Sequence, residues 1–166
     1  MQKKYPCFVV APQCPETDKW TGVEKWDTPV YRQPEAPTEA LRLVMALLPT
    51  LRKQYRVNAL YATGLSMGGY GTWELLNRRP DWWAAAAPIC GGADETLADR
   101  VRAPVWAFHG GADTVVLPIQ SRRMTDTLKK LNREVRYTEY EGVGHNSWDK
   151  AYSEPTLPDW LFSHKK

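Results

Sequence analysis

Apolar and polar positions along the chain fall into short blocks of two periods. "CFVVAP" (residues 7–12) is a continuous apolar run, β-branched at its centre and stopped by Pro12. That is the pattern of a strand buried on both faces. "TEALRLVMALLPTLRKQY" (38–55) repeats at helical spacing. Thr38 is placed to cap it, and Pro49 is expected to kink or end it. "VNALYATG" (57–64) predicts a strand and "GYGTWELLNRR" (69–79) a helix that Pro80 stops. "WWAAAAPIC" (82–90) is ambiguous by period alone, and its place in the alternation favours a strand. "APVWAFHG" (103–110) predicts a strand, "QSRRMTDTLKKLN" (120–132) an amphipathic helix and "EVRYTEY" (134–140) another strand. Residues 147–162 look helical, interrupted at Pro155 and Pro158, and residues 15–34 read as a polar, Pro- and Trp-containing loop. Strands alternating with helices imply an α/β fold with a mostly parallel sheet, whose sites lie at the carboxyl ends of its strands.

Composition narrows the function classes. At 166 residues the chain reads as a single domain over 1–166, with 43% hydrophobic and 25% charged residues. Acids and bases are mixed to a formal charge of +3 with no basic stripe, so no nucleic-acid partner is expected. No apolar run approaches the roughly 20 residues of a membrane helix. The first apolar run is too short for a secretory core, so no signal peptide and a cytoplasmic location are expected. Cys7, Cys14 and Cys90 form neither a disulfide framework nor a zinc motif and read as plain thiols. Histidines and acids show no ligand spacing, so no metal is expected.

The candidate chemistry centres on "GLSMG" (64–68). G-x-S-x-G between a strand and a helix is a nucleophile elbow: a sharp turn that lifts the Ser66 hydroxyl above the sheet. Gly64 and Gly68 are expected to be glycine because side chains there would meet neighbouring backbone. The helix behind Ser66 turns its positive end to the site, and the Met67 N–H is placed to donate to an oxyanion. The plain alternative is a glycine-rich turn with an incidental serine.

A serine hydroxyl needs a base. On such an elbow an acid and then a histidine follow the serine in chain order. "FHGGADTVV" supplies Asp113 and "EGVGHNSWD" supplies His145, each just after a predicted strand. His145 would take the Ser66 proton, and Asp113 would fix the imidazole tautomer. The other two histidines fit less well: His109 ends a buried strand and reads as a core residue, and His164 lies in the charged tail and reads as solvated. Asp94 and Asp99 would serve as the acid only in another topology, and Asp149, close behind His145, reads as a surface charge, with a contact supporting the site as the alternative. Among eight tryptophans, Trp20, Trp26 and Trp148 are candidates to line a substrate pocket, with simple packing the alternative for each.

"VVAPQCP", "YATGLSMGGYGTW", "AAAAPICGGAD", "APVWAFHGGADTVV" and "YTEYEGVGHNSWDKAY" together resemble the α/β-hydrolase group of predicted peptidases, phospholipase/carboxylesterases and polyhydroxybutyrate-depolymerase-like or feruloyl-type esterases. The resemblance implies a compact three-layer sandwich, the triad Ser66, Asp113 and His145, ester hydrolysis and no cofactor. The chain lacks that group's N-terminal strands and the HG-x-G loop that carries the second oxyanion donor. We therefore expect residues 7–12 and 57–63 to pair directly in a sheet of about five or six strands, with the backbone near Gln13 or Cys14 as second donor. The alternatives are a fragment, or a strand gained from a partner. The expected function is a serine carboxylesterase acting on a small-molecule, short-acyl ester. A serine peptidase and a weakly active or non-catalytic binding remnant stand as alternatives, and a homo-oligomer is left open.

Overall fold

The structure, a computed structural model, describes residues 4–165. Its core is built on β2 (Trp83–Ile89), the ambiguous alanine run, every residue of which is buried. Small side chains at that position let helices approach both faces of the sheet. β2 pairs in parallel with β1 (Leu60–Leu65) on one side and β3 (Val105–Gly110) on the other, and β4 (Val135–Tyr140) pairs in parallel with β3. The order β1-β2-β3-β4 makes one four-stranded sheet.

Alternation along the strands separates the two faces. Ala62, Ala86, Val105 and Ala107 face one layer of α2 (Met67–Arg78) and α3 (Ile119–Lys130), through Trp73, Leu76, Met124 and Leu128. α1 (Glu39–Gln54) joins that layer through Leu48. Ala85, Ala87, Ile89, Trp106 and Phe108 face the other layer, α4 (Trp148–Tyr152) and α5 (Leu157–Ser163), through Ala151, Leu157 and Trp160. The result is the expected three-layer α/β sandwich. Thr38 caps α1 as its type predicts, its Oγ1 accepting from the Leu41 N–H at 3.3 Å. Pro49 does not end that helix. It lies within it on the exposed face, so its ring packs against no other element.

Among the described residues the sheet is smaller than expected: four strands rather than five or six. The strand expected over residues 7–12 does not form, and it does not pair with β1. The segment lies outside the ladder, with Phe8 71% and Val9 84% exposed. Its flanks are held by Tyr5 stacked on Phe162 and Phe8 tilted against Tyr55. An apolar run signals a surface that gains by being covered, but only a neighbour within hydrogen-bonding reach makes it a strand. Among the described residues β1 consequently bonds on one side only, to β2. No helix among the described residues is long and apolar enough to cross a membrane.

Candidate active site

β1 ends at Leu65 and α2 begins at Met67, so the whole turn is made at Ser66. Its φ of 52° and ψ of −118° are strained for a residue with a side chain, a cost of about 1–3 kcal/mol. The surroundings hold it there. The Ser66 N–H donates to Ile89 O at 3.0 Å and also points at Cys90 Sγ at 3.3 Å. Its carbonyl accepts from Gly69 N at 2.8 Å and Tyr70 N at 3.1 Å. A Cβ on Gly64 would stand 2.3 Å from Gly68 O, so glycine is required there. Gly68 differs from expectation, since a Cβ on it would meet nothing within 4 Å. The second crowded position is Gly69, where a Cβ would fall 2.5 Å from Ile89 O. Met67 opens α2, so its N–H is one of the first-turn donors that have no acceptor inside the helix.

Two further loops meet this turn from β3 and β4. A Cβ on Gly110 would lie 2.1 Å from Gly144 O, so the loops touch backbone to backbone. Ala112 N donates to Val143 O at 2.9 Å, and Gly142 supplies the left-handed φ of 69° that turns the second loop. These contacts bring Asp113 and His145 together. His145 Nδ1 lies 2.8 Å from Asp113 Oδ2, and its Nε2 lies 2.8 Å from Ser66 Oγ. Asp113 Oδ1 accepts from the Val115 and Val116 N–H groups at 2.9 and 3.0 Å. Burial alone would push this carboxyl up, but hydrogen bonds from His109, His145, Val116 and Val115 outweigh it and hold the pKa at about 2. An ionised acid, an imidazole oriented by it and a hydroxyl at the far nitrogen can together pass a proton off the hydroxyl.

The remaining sequence candidates divide. Trp148 stands edge-on to His145 with centroids 5.4 Å apart. Trp26 packs edge-on against Tyr70, and Trp20 lies over Gly71 of α2 and lines a cavity with Pro12, Gln13 and Pro15. Gln13 and Cys14 hydrogen-bond with each other, Gln13 Nε2 to Cys14 O at 3.1 Å. Among the described residues no hydrogen bond ties either to Ser66 or Met67. The strand pairing that was to carry them past the serine is not formed. Asp94 caps the short 3₁₀ turn Glu95–Arg100 and bonds Arg32 and the Gln33 N–H, away from His145. Asp99 and Asp149 are exposed. His164, read as solvated, instead packs on Trp160 and hydrogen-bonds Glu134. Among the described residues no cluster of three or more His, Cys, Asp or Glu is placed to hold a metal.

Two participants escaped sequence reasoning. Cys90, itself at φ 39°, sits fully buried under Ser66. Burial pushes its thiol up to about 11, against the opposing hydrogen bond from Ser66. His109 is buried as expected, but its Nε2 also lies 3.3 Å from Asp113 Oδ2. The only hint was its spacing four residues before the acid.

A family profile described as "Dienelactone hydrolase family" matches residues 17–154. Among solved structures, a thermostable esterase is 38% identical with a TM-score of 0.91; the match covers 99% of this chain and 46% of that one. The chain thus spans about half the length of that esterase. The Pyrococcus horikoshii acylaminoacyl peptidase superposes at TM-score 0.64 with 19% identity, over 76% of this chain and 28% of that one. The Paleococcus ferrophilus monoacylglycerol lipase gives 0.63 and 16%, over 76% and 75%. At such identities these two share the fold. No curated protein matches the chain.

Proposed function

The chain belongs to the dienelactone hydrolase family, and we propose that it is a serine carboxylesterase acting on small, short-acyl carboxylic esters. The observation that carries this reading is the hydrogen-bonded line Ser66 Oγ, His145 Nε2, His145 Nδ1, Asp113 Oδ2, with 2.8 Å at each of its two contacts. Ser66 Oγ attacks the ester carbonyl as its proton moves to His145 Nε2. Asp113 steadies the imidazolium through Nδ1–H. The Met67 N–H faces the oxyanion of the tetrahedral intermediate. Collapse breaks the bond to the alkoxy oxygen, which leaves as the alcohol with the proton from His145, and Ser66 keeps the acyl group. Water then attacks that acyl carbon and gives its proton to His145. Collapse releases the acid and returns the proton to Ser66. No step needs a cofactor. Trp148 stands edge-on to the imidazole, which supports it as a lining residue for the ester.

The test is hydrolysis of p-nitrophenyl acetate and butyrate beside a matched peptide p-nitroanilide. Ester turnover that Ser66→Ala abolishes, in a protein with unchanged circular dichroism, is expected. Faster cleavage of the anilide would point to a peptidase. Turnover that survives Ser66→Ala would overturn the reading.

A further inference from the structure

His109 ends β3 and is fully buried, four residues before Asp113. A histidine there could be filler, but its partners argue otherwise. Nε2 faces Val116 O at 2.9 Å and Asp113 Oδ2 at 3.3 Å. A carbonyl and a carboxylate can only accept, so Nε2 must carry a hydrogen. Asp113 Oδ2 therefore lies against two imidazole nitrogens, His145 Nδ1 at 2.8 Å and His109 Nε2 at 3.3 Å, the latter sharing its hydrogen with the closer Val116 O at 2.9 Å. With the two backbone donors on Oδ1, all sides of the carboxylate are engaged and its rotation is fixed.

The other nitrogen reaches the elbow. His109 Nδ1 lies 2.8 Å from Ser121 Oγ, which lies 3.1 Å from Gly91 O. Gly91 packs directly on the start of α2, where a Cβ on it would stand 2.4 Å from the Gly69 carbonyl carbon. One buried ring thus touches the acid and, through one hydroxyl, the floor on which the serine turn rests.

We propose that His109 is a positioning residue for the hydrolytic site: its Nε2–H holds the Asp113 carboxylate in the orientation that receives His145. The proposal rests on the esterase reading only for its kinetic consequence; the proton assignment stands without it. The charged and titratable groups around the pair are few. From β4, Glu139 lies near His109 and is itself paired with Arg122 of α3. Cys90, following β2, and Tyr70 of α2 face Asp113. None of these replaces the Nε2–H.

Two measurements test this. The first is a long-range ¹H–¹⁵N spectrum of histidine-labelled wild-type protein, assigned through His109→Gln. It should show His109 Nε2 protonated throughout the stable pH range. An unprotonated Nε2 overturns the proposal whether or not the protein cleaves esters. The second is the measurement of kcat and KM separately for p-nitrophenyl acetate. His109→Leu should lower kcat on the order of ten-fold with KM unchanged, because the misoriented acid affects the chemical step. His109→Gln, which keeps an N–H near that position, should recover at least half of the loss on a logarithmic scale. A folded His109→Leu with wild-type kcat contradicts the proposal. If His109→Leu does not fold, the wild-type spectrum decides. A protonated Nε2 in a protein without esterase activity would fault the functional reading instead.

Discussion

Replacing Asp113 by Asn keeps the shape of the side chain and removes its charge. The two backbone N–H groups at 2.9 and 3.0 Å claim the amide oxygen. The NH₂ group then occupies the Oδ2 position, 2.8 Å from His145 Nδ1. Two donors cannot face each other, so His145 shifts its hydrogen to Nε2 and points it at Ser66 Oγ. An imidazole in that tautomer cannot take the serine proton, and a loss in kcat on the order of 10⁴-fold, about 5 kcal/mol of barrier, is expected. Stability should fall too. The carboxyl is lowered from 3.8 to about 2, which corresponds to about 2 kcal/mol of folding free energy. Because the folded pKa is the lower one, that contribution is complete above the unfolded value and is lost as pH falls through about 2. Asp113→Asn should therefore melt roughly 5 °C below wild type near neutral pH. Urea midpoints of the two proteins should converge as pH falls toward the folded value. Ester turnover within roughly ten-fold of wild type, or a stability gap that ignores pH, would refute the reasoning.

Gly64→Ala, whose Cβ would stand 2.3 Å from Gly68 O, should displace the elbow and cost on the order of 10²-fold in kcat. Gly68→Ala, in open space on a helix, should instead stabilise by up to about 1 kcal/mol in urea denaturation; the opposite ranking would contradict the elbow's packing. Iodoacetamide on the native protein should modify exposed Cys7 and spare Cys90, buried and held at about 11, which peptide mass mapping reads directly. The exposed apolar run at Phe8 and Val9 should drive association at high concentration. Val9→Lys should lower the weight-average mass in sedimentation, and an unchanged concentration dependence would place the contact elsewhere.

What the sequence made legible was local. The elbow is encoded within a few residues, and β3 and β4 carry their own period, so Ser66, Asp113 and His145 could be placed in loops that converge. The alanine run of β2 was ambiguous because alanine suits helix and strand alike, and its neighbours on both sides settle it. Residues 7–12 misled for the converse reason: their apolarity is local, but a strand needs a partner edge. Gly68 and Gly69 are adjacent in sequence, and only the approach of Ile89 and Gly91 distinguishes the crowded one. The contact between His109 and Asp113 depends on a turn closed by Asp113 N to Gly110 O at 3.2 Å, which residue types alone do not specify.

The most direct test of the central claim is covalent. A fluorophosphonate should react with the native protein at one equivalent, and peptide mapping should place the phosphonyl group on Ser66, the hydroxyl 2.8 Å from His145 Nε2. His145→Ala should slow that labelling, and Ser66→Ala should abolish it together with ester hydrolysis. Stoichiometric labelling at another residue, or ester hydrolysis that persists while Ser66 is fully modified, would contradict the account.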